Sequence, residues 1–348
     1  MADAESKEDF VAIKMDIKVV ENLYMGVQKM MKWVSLVALT VQNASLNLLM
    51  RMARTQEVLF VSSTAVVIAE ILKLLFSLVM VGAVDEGSIK KLLIALKKTV
   101  ISQPLDTFKV AIPSLVYTVQ NNLLYVGATH LDAATCQVTY QLKILTTALF
   151  SVVMLKRRLS MYQWIALFLL FIGVALVQLA QLTTAKTSNS THTQKPLVGF
   201  FAIVIACCLS GFAGVYFEKI LKGSEITVWM RNVQLCVTSI PVGLFMVYVI
   251  DWNEVSTKGF FHGYNTVVWY VIMLQAFGGL IVAVVVRYAD NILKGFSTSL
   301  AIVLSCVISV YVFNFQLTSK FVCGASLVIC STFLYSRYPP SVPAVYKK

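Results

Sequence analysis

The sequence predicts an all-α membrane protein of ten transmembrane helices, and three observations predict it. Hydrophobic residues make up 58% of the 348 and charged ones only 13%, about half the charge of a soluble domain, and mean hydropathy is +0.78. Apolar stretches recur at close to the ~20 residues a helix needs to cross ~30 Å of hydrocarbon. The basic excess behind the net charge of +12 sits in short segments beside those stretches. It therefore reports topology, and nucleic acid is rejected as a partner.

In chain order, residues 1–32 are mixed and charged, without the apolar core of a signal peptide. They are expected to form a cytosolic tail, with the first span acting as its own insertion signal. The expected spans are 33–50, 58–83, 110–129, 132–155, 161–182, 196–217, 225–250, 266–287, 294–313 and 321–336. Spans three and four are separated only by His130, Leu131 and Asp132 and should form a tight antiparallel pair. Of the 29 Lys and Arg, 20 fall on the amino-terminal side, six on the other and three (Lys73, Lys143, Arg231) within spans. That bias puts both termini in the cytosol.

The polar loop 183–195 then faces the lumen and carries Asn189-Ser190-Thr191, a glycosylation acceptor. Asn43-Ala44-Ser45 fits the same pattern but lies inside a span and is discounted. The loop separates a first five-helix repeat, 33–182, from a second, 196–336, with residues 337–348 as a cytosolic tail. Five spans per half make the second half enter from the opposite side, as in transporters built from inverted repeats with a site between the halves. Leu142-Lys143-Ile144-Leu145-Thr146-Thr147 and Leu293-Lys294-Gly295-Phe296-Ser297-Thr298 are the faint internal match.

Lys143 is the most informative residue. A charge at that depth costs about 2.5–3.5 kcal/mol on insertion scales, so it needs either a carboxylate partner such as Glu70 or an anionic cargo. Lys294, at the matching place in the other half, either converges with it on a phosphate-bearing ligand or snorkels from a helix end. Glu70 and Lys73, three apart on one face, either satisfy each other or let Glu70 orient Lys73 toward a cavity. Tyr117 and Asn121 share a face and suit a nucleobase by stacking and edge hydrogen bonds. Asn122 could equally bond a neighbouring helix. Tyr140 lies on the face of Lys143, with Gln137 and Gln141 near, and Asn232 opens span seven. Gly211, Gly214, Gly278 and Gly279 read as packing or hinge positions. Cys207 and Cys208 read as lipid-facing or packed surface. Lys90–Lys98 is basic and amphipathic, expected on the cytosolic membrane face. The seven cysteines and three histidines have no metal spacing, and neither a metal nor a cofactor is expected.

Four blocks carry a resemblance: Pro113–Asn122, Leu131–Lys143, Gly211–Lys219 and Ala289–Phe296. They resemble the Golgi nucleotide-sugar transporters, nearest the branch for UDP-galactose and UDP-N-acetylglucosamine, with CMP-sialic acid transporters close by. The resemblance covers about 33–336. It implies a drug/metabolite transporter fold and antiport of a cytosolic nucleotide sugar for lumenal UMP. By position it implies that Lys143 and Lys294 bind the phosphates. Tyr117, Asn121 and Asn232 would line the nucleotide site, and Glu70 and Lys73 would lie by the sugar end or the gate; Tyr140, on the face of Lys143, is expected among the substrate-binding residues. A homodimer is compatible with it. Cys136 stands where relatives often have an aromatic residue, and Cys236, Thr238 and Ala283 depart from the CMP-sialic acid branch, which remains the alternative substrate class. A glycosyltransferase is disfavoured because no Asp-x-Asp pair or phosphate-binding glycine loop is present. A cation or drug exporter using Glu70 is disfavoured by the surplus of lysine.

Overall fold

The computed structural model describes residues 2–338 except 55, 57, 132, 183–194 and 314–317, with most side chains from Leu23 onward. Asn189 lies outside the described residues. Among them the regular elements are all helices: α1 (Ala2–Arg54), α2 (Ser62–Met80), α3 (Ile89–Leu96), α4 (Pro104–His130), α5 (Ala133–Tyr140), α6 (Lys143–Leu155), α7 (Met161–Leu182), α8 (Pro196–Lys222), α9 (Val228–Ile250), α10 (Trp252–Lys258), α11 (Thr266–Tyr288), α12 (Asn291–Phe313) and α13 (Ser319–Arg337). Single π-helical turns, Val81–Glu86 and Lys97–Ile101, flank α3.

Among the described residues nine helical segments are long and apolar enough to cross a membrane, and the protein is a multi-pass membrane protein. The other expected span lies in α4. That helix has the length, with 27 residues, but Gln120-Asn121-Asn122 interrupts its apolar run. The first expected span is part of a helix that starts at Ala2. The ninth begins three residues earlier than expected, at Asn291. Asp290 starts it, its Oδ1 accepting from the Leu293 backbone N–H at 2.7 Å, a cap the hydrophobic pattern does not show.

Helix pairing repeats between the halves. The most extensive contacts are α7 with α13, α4 with α8, α1 with α11, α2 with α9, α6 with α8 and α1 with α12. Exchanging the halves in chain order maps α7·α13 and α2·α9 onto themselves, α4·α8 onto α11·α1, and α6·α8 onto α12·α1. In α7·α13 two glycines face each other. A Cβ on Gly324 would stand 2.8 Å from the Gly173 carbonyl oxygen, and one on Gly173 would stand 3.0 Å from that of Gly324. Backbones this close replace the hydrophobic drive that lipid does not supply.

The expected continuous span 132–155 is instead two helices. The ladder tightens at Gln141-Leu142, where three bonds have i→i+3 spacing: Gln141 N–H to Val138 O at 3.1 Å, Leu142 N–H to Thr139 O at 3.0 Å, and Ile144 N–H to Gln141 O at 3.0 Å. The Tyr140 carbonyl loses its helical donor, and the Cys207 thiol donates to it at 3.4 Å. Thr146 Oγ1 donates to the Cys207 carbonyl at 2.8 Å. Non-helical backbone at membrane depth has to be satisfied in this way. Cys207 is accordingly buried and Cys208 exposed.

Candidate functional site

The interruption places Lys143 at the first residue of α6, and the Asp290 cap places Lys294 one turn into α12. Both side chains line one cavity of about 320 Å³ between α1, α4, α6, α8 and α12, together with Asn43, Asn47, Tyr117, Gln141, Ser210, Thr298 and Ser299. Among the described residues no carboxylate forms an ion pair with either lysine. The Lys143 ammonium lies 4.1 Å from the centre of the Tyr140 ring. The Tyr140 hydroxyl accepts from Gln120 Nε2 at 3.0 Å. Tyr140 thus supports Lys143 and is not among the residues lining either cavity.

A second cavity, about 520 Å³, shares Tyr117, Gly214, Asn291 and Lys294 with the first. Its walls carry Glu70, Lys73, Asn121, Asn232 and Ser239, and it continues to Ser63 and Ile250 at the start of α2 and the end of α9. Both volumes fall in the ~300–1,000 Å³ range of small-molecule sites. Glu70 is occupied twice. Lys73 Nζ lies 2.6 Å from Oε1, and the Ser239 hydroxyl donates to Oε2 at 2.5 Å. Glu70 is therefore not the partner of Lys143, and the Glu70–Lys73 pair is both mutually satisfied and part of the wall. Gly279 leaves the room Lys73 occupies, since a Cβ there would meet Lys73 Cδ at 2.9 Å.

The polar run of α4 points three ways, as successive residues of a helix must. Gln120 is buried against Tyr140, Asn121 lines the larger cavity, and Asn122 is exposed and donates to Thr118 O of its own helix at 2.9 Å, not to a neighbour. Asn232 is buried, with its Nδ2 donating to Val228 O at 3.0 Å.

The face where α4, α9 and α12 begin and α6, α8 and α11 end is tied by charge. Glu218, fully buried, meets Arg157 at 2.7 Å and Lys222 at 2.8 Å, and Arg157 meets Asp290 at 2.9 Å. Glu218 Oε2 also accepts the Asn291 backbone N–H at 3.0 Å. Burial alone would lower the Arg157 pKa, but Asp290 and Glu218 hold it above its ordinary value. Beside this lies Arg231, paired with Asp106 at 2.5 Å and with Gln234 Oε1 at 2.7 Å. Burial alone would raise the Asp106 pKa, but hydrogen bonds from Arg231 and Gln234 hold it below the ordinary carboxylate value.

Sequence reasoning missed both clusters, and it missed Asn43, Asn47, Ser210, Ser239, Asn291, Thr298 and Ser299 in the walls. Polar side chains inside apolar spans were the available signal. The arrangement can hold an elongated ligand with negative charge between the lysines and a ring and polar groups along the larger cavity.

Residues 27–336 match the model of a family described as nucleotide-sugar transporter. The mouse UDP-galactose translocator is 52% identical over 316 residues, covering 90% of this chain and 80% of that protein. The rat UDP-N-acetylglucosamine transporter is 51% identical over 313, covering 89% and 96%. The Caenorhabditis elegans UDP-galactose/UDP-N-acetylglucosamine transporter is 48% identical over 318, covering 90% and 85%. A protein of known crystal structure, 13% identical, superposes with a TM-score of 0.55 over 86% of this chain and 96% of that one, a likeness of fold alone.

Proposed function

The chain belongs to the nucleotide-sugar transporter family, and on that premise we propose that it is a Golgi antiporter exchanging cytosolic UDP-galactose, UDP-N-acetylglucosamine or both for lumenal UMP. The names of its relatives support the cargo, and one observation carries the mechanism: Lys143 and Lys294 line a common cavity with no carboxylate paired to either. The phosphates supply the missing negative charge. Tyr117, at the junction of the cavities, stacks on the base, and Asn121 and Asn232 bond its edges or the ribose. The compensated Glu70–Lys73–Ser239 group, offering donors and acceptors without net charge, meets the sugar hydroxyls.

The basic bias of the loops supports placing the charge-tied face in the cytosol. The larger cavity, reaching Ser63 and Ile250, then opens to the lumen. The repeating helix pairs support two inverted halves that exchange these roles as the carrier turns.

Purified protein in liposomes preloaded with UMP is expected to take up labelled UDP-galactose or UDP-N-acetylglucosamine, and Lys143→Ala to abolish exchange. Unimpaired exchange by that variant removes Lys143 from the mechanism. Inhibition by CMP-sialic acid and not by UMP would transfer the reading to the alternative substrate.

A further inference from the structure

Between α2 and α4 the chain folds a short amphipathic collar that the transport site does not use. Lys90, Lys91, Lys97 and Lys98 are all exposed there, and among the described residues none has an ion-pair partner. Apolar side chains are interleaved with them on the same outer surface. Leu93, Ile94 and Ile101 are 62%, 66% and 71% exposed, and Leu105 and Phe108, at the start of α4, are exposed too. The inner side, Leu92, Ala95, Leu96 and Val100, packs on Val81, Met230 and Val233.

We infer that this collar is a binding surface for anionic phospholipid headgroups. Alternating lysines and large apolar side chains fit a membrane interface, where stems and apolar groups enter the acyl layer and ammonium groups meet phosphate and carboxylate. An acidic soluble partner would satisfy the lysines and leave the apolar groups in water. The collar is bolted to the transport core: Gln234 Nε2 donates to Thr99 O at 3.2 Å, and Thr107 Oγ1 donates to Val100 O at 3.1 Å. Gln234 is two residues from Asn232 in the cavity wall, so bound lipid steadies the end of α9 that carries it. The inference rests on the membrane reading of the chain and not on its cargo.

The test uses the purified full chain in nanodiscs of mixed phosphatidylserine and phosphatidylcholine, with retained lipids counted by native mass spectrometry. Phosphatidylserine is expected to be retained over phosphatidylcholine. Each lysine contributes about fivefold to surface attraction, so the combined Lys90→Gln, Lys91→Gln, Lys97→Gln and Lys98→Gln variant should lose the preference by roughly tenfold or more. The corresponding four Lys→Arg changes should keep it, as should Lys258→Gln, outside the collar. Retention indifferent to the four glutamines overturns the proposal. So does displacement of the lipid by inorganic phosphate but not by chloride at matched ionic strength, or capture of a polyglutamate peptide in neutral nanodiscs. Because lipid is counted without transport, Lys143→Ala should leave the preference intact, which separates failure here from failure of the antiport reading.

Discussion

Lys143 is held by a ring and not by an acid. The cation–π contact with Tyr140 recovers about 2 kcal/mol or more when desolvated, against a cost of ~2.5–3.5 kcal/mol for the charge. In the proposed function an anionic cargo adds the rest. Tyr140→Phe keeps the ring and loses the hydroxyl's hydrogen bonds, the one from Gln120 Nε2 at 3.0 Å among them, at about 1 kcal/mol each. Tyr140→Ala loses both, and calorimetric titration with UMP should show the larger drop in affinity for Ala. Glu70→Gln leaves the Lys73 ammonium, 8% exposed, without its counter-charge, and a melting experiment should register a loss of about 3 kcal/mol. The lysines and the Glu70–Lys73 pair were legible in the sequence because one charge in an apolar run is a local signal. Ser239 was not, because its hydroxyl and the carboxylate it bonds are 169 residues apart.

At the scale of elements, apolar stretches located the spans but not their irregularities. The tightened turn at Gln141-Leu142 leaves no mark in hydropathy, since a helix and an interrupted helix need the same apolar residues. Its cause is partly on α8, where the Cys207 thiol takes up the Tyr140 carbonyl. Cys207→Ser, which keeps a donor, should leave stability nearly unchanged. Cys207→Val should cost roughly 1–3 kcal/mol for a carbonyl left bare, read as a lower midpoint in thermal unfolding. The α7·α13 contact makes a sharper demand. Gly324→Ala sets a methyl against backbone, not against a flexible side chain, and should destabilise by about 1–3 kcal/mol. Substituting Gly26, whose Cβ would meet nothing within 4 Å, gives the comparison.

The whole molecule shows a division the sequence concealed. Arg157, Glu218 and Asp290 come from three separate stretches, and only folding makes them one cluster. Their basic members were read from sequence as topology signals alone. Asp106→Asn strands Arg231, which is 2% exposed, and should lower stability by about 3–5 kcal/mol. In the wild type the sign of the pH effect follows from the depressed Asp106 carboxyl. Its contribution is whole above the unfolded carboxylate value and is lost as pH falls through the lower folded value. Acid unfolding of Asp106→Asn should lack that step. One last consequence of the proposed exchange is electrical. A UDP-sugar carries two negative charges, and UMP carries about 1.5 to 2 near neutrality because its second phosphate proton leaves near pH 6. Swapping one for the other, as proposed, would move almost no net charge, so a voltage across the membrane would neither drive nor oppose that cycle. Acidity in the receiving compartment, by leaving a proton on the monophosphate, would make each turnover carry a small current.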